Sequence, residues 1–201
     1  MIGHLDFSFC PLSGQNKLFN VLKAYSNFDP EVGYSQGMNF ITAMLLMHIP
    51  SEEDAFWCLV AIMLPPKGHK LPGLHGYRTV FTMDMPKALE LLLKLTTLLH
   101  HKAPLALRAI FEAANNCLTP AFSSYLITAC SSDLPVHISR RLFENFLLQG
   151  ETFIVSFLAK AVKMKEKKIA EMDEDVVLRY VKKELIIECL KEKGSIKEVL
   201  E

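Results

Sequence analysis

Apolar positions recur at helical spacing along nearly the whole chain: Leu18, Val21, Leu22 and Tyr25 make one stripe, and Leu142, Phe143, Phe146 and Leu147 make another. No segment shows the sustained period-two alternation of a half-buried strand, so the pattern predicts an all-α fold of an irregular, multi-helix kind. Breakers cut it at Asp29-Pro30 and Gly33, at Pro50-Ser51, in the loop from Pro65 to Gly73, and at Thr119-Pro120, Leu134-Pro135, Gly150 and Gly194. Helices of roughly 10 to 20 residues result, about nine in all. Ser51 before Glu52, Glu53 and Asp54 is a helix start, because its hydroxyl can cap free amides while the acidic turn complements the helix dipole. Helices over 83–101 and 103–116 are expected to be core elements, since Leu91, Leu92, Leu95, Leu98 and Leu99 leave little room for a polar face. The stretch from Asp173 to Glu201 is amphipathic, with Val176, Val177, Tyr180, Val181, Leu185 and Ile186 as its apolar side.

Composition narrows the class. With 22 basic and 22 acidic residues and half of its 201 residues apolar, the chain is an ordinary globular one without the basic balance of a nucleic-acid partner. The late cluster from Lys160 to Lys168 falls within a helical pattern and is followed by acids, so it reads as a solvated helix face. Five scattered cysteines suggest neither a disulfide framework nor a zinc site and fit a reducing, cytoplasmic setting. The most apolar run, Phe40 to Ile49, is too short to cross a bilayer, so no direct transmembrane contact is expected.

The informative segment runs from Val21-Leu22-Lys23-Ala24-Tyr25 through Asp29-Pro30-Glu31-Val32 to Gly33-Tyr34-Ser35-Gln36-Gly37-Met38-Asn39. It resembles the central signature of the TBC family, a "VLKAY" helix and a turn followed by "GYxQGMN" leading into an apolar helix. Further resemblance follows in the family's order, at Glu53-Asp54-Ala55-Phe56-Trp57 and from Leu134-Pro135 to Gly150. On that resemblance the chain divides into a divergent segment over 1–13, a TBC-like helical domain over 14–192 and a tail or short helix over 193–201.

The resemblance implies action in trans on a Rab-family small GTPase, which carries the GTP and the Mg, with no cofactor held by this chain. Recruitment to membranes would then come through the Rab. Such GTPases hydrolyse slowly because the attacking water is poorly held and the phosphoryl charge is incompletely neutralised. In the family an arginine from an upstream "IxxDxxR" motif meets the charge, and the glutamine of "YxQ" orients the water. Gln36 matches that glutamine, with Tyr34 placing it, Gly33 and Gly37 allowing close approach of the backbone to the nucleotide, and Asn39 supporting the loop. A neutral amide both donates and accepts, which suits holding water but not neutralising charge.

The arginine position departs from the family. No arginine precedes Arg78, and the best local match sets Ile2 to Ser8 on the motif, with Leu5 at the aspartate and Ser8 at the arginine. Lys17, the nearest cation, is a compact ammonium that substitutes poorly for a planar guanidinium and is expected on solvated helix surface. Phe143-Glu144 stands where the family has Trp-Asp, and Tyr125 or Leu126 is expected to fill the space of a second missing tryptophan. The seven histidines lack the spacing of a helical metal pair, and no nucleophile elbow is present. Two readings stay open: a Rab GTPase activator that is weak or dependent on a partner for its arginine, and a catalytically inactive Rab-binding or scaffold module.

Overall fold

The computed structural model describes residues 11–64 and 76–200. Among these residues the fold is helical, with no strand: α1 (Pro11–Phe28), α2 (Met38–His48), α3 (Glu52–Met63), a 3-10 turn (Tyr77–Val80), α4 (Pro86–Lys102), α5 (Pro104–Ala113), α6 (Thr119–Ile127), α7 (Val136–Gln149), α8 (Glu151–Met164), α9 (Glu166–Ala170), α10 (Glu174–Lys183), α11 (Leu185–Lys193) and α12 (Ile196–Leu200). Twelve α-helices thus replace the nine expected. Two of the extra divisions fall at joints without glycine or proline. Lys165 links α8 to α9, and Glu184 links α10 to α11.

Helix α8 is the centre. Phe153, Ile154, Phe157, Leu158, Ala161 and Val162 are all buried there, and α4, α7, α11 and α12 pack around it. Helices α1, α2 and α3 form a mutually packed unit, joined to the rest largely through the 3-10 turn and the end of α6. Ser51 caps α3 as expected, accepting from the Asp54 amide at 3.3 Å behind an acidic first turn.

Helix α4 differs from its expectation. Only Leu91, Leu95 and Leu99, one turn apart along a single stripe, are fully buried, while Leu89 is 57% and Leu93 68% exposed. Lys87, Glu90 and Lys94 share the remaining surface in a chain of ion pairs, which gives the helix a polar side despite its leucine content. In the last stretch, Val177, Tyr180, Val181, Leu185 and Ile186 are buried as expected, with Val176 half-buried. The Lys160 to Lys168 cluster is only partly a solvated face. Lys165 and Lys168 reach across to Glu188 on α11 at 2.9 and 2.6 Å, and Lys165 also pairs with Glu192.

Candidate functional site

The site is the turn between α1 and α2. Helix α1 ends as the Asp29 amide bonds to the Tyr25 carbonyl, and the Asp29 carbonyl then accepts from the amides of Val32, at 3.2 Å, and Gly33, at 2.8 Å. The chain reverses at Gly33, which has φ +61 and nothing within 4 Å of an added Cβ; glycine serves the backbone conformation there. Tyr34 and Gln36 follow, both exposed. The Ser35 amide points at the Met38 sulfur, 3.3 Å away, and the Gly37 amide donates to Asn39 Oδ1 at 3.2 Å, so the Asn39 side chain braces the loop locally. Met38 and Ile41 then descend into the core, with Phe40 half-buried.

Gly37 has an internal reason to be glycine. With φ +109, a Cβ there would lie 2.6 Å from Ile127 Cγ2 and 3.3 Å from the Phe81 ring. The close approach at Gly37 is therefore to α6 and to the residue after the 3-10 turn.

A second support was invisible in the sequence. Arg78, on the 3-10 turn, grips Asp29 with both arms of its guanidinium, Nε to Oδ2 at 2.7 Å and Nη2 to Oδ1 at 2.8 Å, and Nη2 also donates to Glu31 at 2.6 Å. The buried Tyr25 hydroxyl donates to Asp29 Oδ2 at 3.2 Å. The Asp29 carboxyl is held below its usual range, chiefly by the Arg78 hydrogen bonds, with burial opposing and Tyr25 assisting. Tyr25 is shifted the other way, raised by burial and then by the Asp29 charge. With its side chain 8% exposed, Asp29 carries most of the pairing; Glu31, at 80%, stands in solvent where such a pair is worth little. The neighbouring Tyr77 hydroxyl donates to the Leu126 carbonyl, fixing the 3-10 turn to the α6 end that meets Gly37. Asp29 and Arg78 lie 49 positions apart, and nothing in a single sequence links them.

Beside the turn runs a groove of about 480 Å³ lined by Leu18, Phe19, Leu22 and Lys23 of α1 together with Tyr34 and Asn39. Phe19 is 62% exposed on its wall. Lys17, expected on solvated surface, is half-buried and donates to the Pro50 carbonyl at 2.7 Å, tying α1 to the end of α2. Ser8 lies outside the described residues. Among those described, no group of three His, Cys, Asp or Glu side chains could hold a metal ion, and no helix is long and apolar enough to cross a membrane.

This all-helical order of elements has counterparts among known proteins. The family model for the Rab-GTPase-TBC domain matches residues 4–170. The chain belongs to the Rab-GTPase-TBC family. The GTPase-activating protein GYP5 of Eremothecium gossypii is 31% identical over 184 residues, 92% of this chain and 21% of that protein. The Ecotropic viral integration site 5 ortholog of Drosophila melanogaster is 33% identical over 172 residues, 86% of this chain and 20% of that protein. In structure, the chain resembles the Chlamydomonas flagellar RabGAP TBC domain, with a TM-score of 0.66 at 21% identity over 95% of this chain and 58% of that one. For the Ypt/Rab-GAP domain of Gyp1p the TM-score is 0.69 at 16% identity, over 92% of this chain and 63% of that one. The chain thus spans about a fifth of these curated relatives and about three fifths of these solved domains.

The TBC family's departures at this chain's own positions have structural answers. Phe143 is buried against Phe146, with ring centroids 5.8 Å apart, and Glu144 pairs with His48 at 3.1 Å. Tyr125 and Leu126 are both buried, and the Tyr125 hydroxyl reaches the Val181 carbonyl of α10 at 3.2 Å.

Proposed function

We propose that this chain engages a Rab-family small GTPase through the face carrying Tyr34, Gln36 and the α1 groove, and that Gln36 orients the attacking water while acceleration stays weak. The carrying observation is the exposed Gln36 on a turn fixed from behind by the Arg78 clamp and Gly37. An amide held at a fixed place can position water without being reorganised at each turnover. The relatives GYP5 and the Rab GTPase-activating protein eat-17 of Caenorhabditis elegans carry activator names, and this chain shares 31% and 30% identity with them.

Weak activation follows from the missing charge. Residues 1–36 contain no arginine, and Arg78 is committed to Asp29 and Glu31. An arginine finger is worth about 10³ to 10⁵ in rate, so its loss leaves on the order of 4 to 7 kcal/mol of barrier uncompensated. That same commitment favours a second reading, a Rab-binding module that docks without accelerating hydrolysis.

Equilibrium binding to a panel of Rabs loaded with a non-hydrolysable GTP analogue separates docking from chemistry. At least one Rab is expected to bind, with affinity reduced by Tyr34→Ala and nearly unchanged by Gln36→Ala. Absence of binding across the panel overturns the reading.

A further inference from the structure

Away from the Gln36 turn, a second concavity of about 430 Å³ lies between the first turns of α7 and the α11 to α12 joint. Ile138 of α7 and Ile187, Leu190 and Ile196 of the opposite wall line it. Cations stand on both sides: Arg141, one helical turn after His137 on α7, faces Lys191 on α11. All three are exposed, and none has an ion-pair partner among the described residues.

The charge here is sorted by helix face. On α11, Glu188 and Glu192 are one turn apart and turn toward Lys165 and Lys168, which consume their charge. Lys191 belongs to the groove wall with Ile187, Leu190 and Gly194. Helix α7 has no acid in its first turn to neutralise that end of the wall. An apolar floor flanked by unpaired cations on two walls is complementary to an acidic segment that also carries apolar side chains.

We infer that this groove is a docking site for an acidic, amphipathic peptide segment of a partner protein, in which Leu, Ile or Phe side chains enter the floor and neighbouring Asp or Glu side chains meet Arg141 and Lys191. A membrane surface fits less well. The adjoining α11 and α12 carry Glu192 and Glu198 among their lysines, so no broad cationic face surrounds the concavity.

The test is a displayed library of random linear peptides selected on the intact chain, with the double variant Arg141→Glu, Lys191→Glu as counter-target. Both positions are exposed, and unchanged helical circular dichroism and melting of the variant establish that it folds. Enriched peptides are expected to place Asp or Glu beside Leu, Ile or Phe, and a synthesised winner to bind the wild type about tenfold or more tightly than the variant at low salt, with affinity falling as salt is raised. Winners without acidic bias, or winners that bind both proteins equally, overturn the inference. So does sedimentation of the wild type, but not the variant, with phosphatidylserine-containing phosphatidylcholine vesicles, which would assign the groove to lipid.

Discussion

The α1 to α2 turn and the α9 to α11 packing use the same three kinds of group to different ends. At the turn, Asp29 receives the Tyr25 hydroxyl and the Arg78 guanidinium; in the C-terminal part, Glu188 receives the Tyr180 hydroxyl at 2.8 Å and the ammonium groups of Lys165 and Lys168. Burial and donor shape separate them. Asp29 is 8% exposed and bound by a planar two-armed donor, whereas Glu188 is 35% exposed and bound by point charges on flexible stems. The first arrangement fixes the path of a loop that otherwise has only a few local turn hydrogen bonds. The second joins helices whose apolar faces already hold them together, so the more deeply buried of the two clusters sits where the backbone needs instruction.

The sharpest separation is expected from removing the cations. Arg78→Ala leaves the Asp29 carboxylate buried without its partner and should cost about 3–5 kcal/mol in denaturant unfolding, whereas Lys168→Ala should cost under about 1 kcal/mol. Equal losses at the two positions would erase the distinction. Arg78→Lys should fall between, because a single ammonium cannot reproduce the paired hydrogen bonds.

Two glycines give the next contrast. Gly37→Ala meets both positive φ and the Ile127 side chain and should destabilise by about 2 kcal/mol or more. Gly194, with φ +83 and only Glu198 at 3.7 Å, should tolerate alanine at about 1 kcal/mol, the backbone cost alone. Thermal unfolding of the two variants decides the order.

Acid gives the smallest effect. Both carboxyls are depressed in the folded chain, Asp29 chiefly by Arg78 and Glu188, to about 2, chiefly by Lys168 and then Lys165. Their stabilisation is therefore fully present above the usual carboxylate range and declines as pH falls below it. Stability measured from pH 6 downward should lose more of its acid slope in Asp29→Asn than in Glu188→Gln, since solvent screens the more exposed pair.

Much of the molecule was legible because helical period and capping chemistry are local. The stripes of α1 and α7, the Ser51 cap and the exposed Gln36 turn all sit where neighbouring residues specify them. Long-range facts were not. Leucine content overrated α4, because burial is decided by what packs on each face, and α8 with its small Ala159 and Ala161 occupies the centre instead. The α8 to α9 and α10 to α11 joints, at Lys165 and Glu184, carry no glycine or proline that a local reading could find. The Gly37 to Ile127 contact and the Arg78 clamp bring together residues far apart in sequence, and Lys17 reaches Pro50 in the same way.

Single-turnover GTP hydrolysis by a Rab panel, with and without this chain, tests most directly whether the supported glutamine acts without an arginine. Hydrolysis is expected to stay close to each Rab's intrinsic rate even at chain concentrations that saturate binding. A thousandfold stimulation by the unmodified chain, abolished in Gln36→Ala, would contradict that and require another cation to meet the phosphoryl charge.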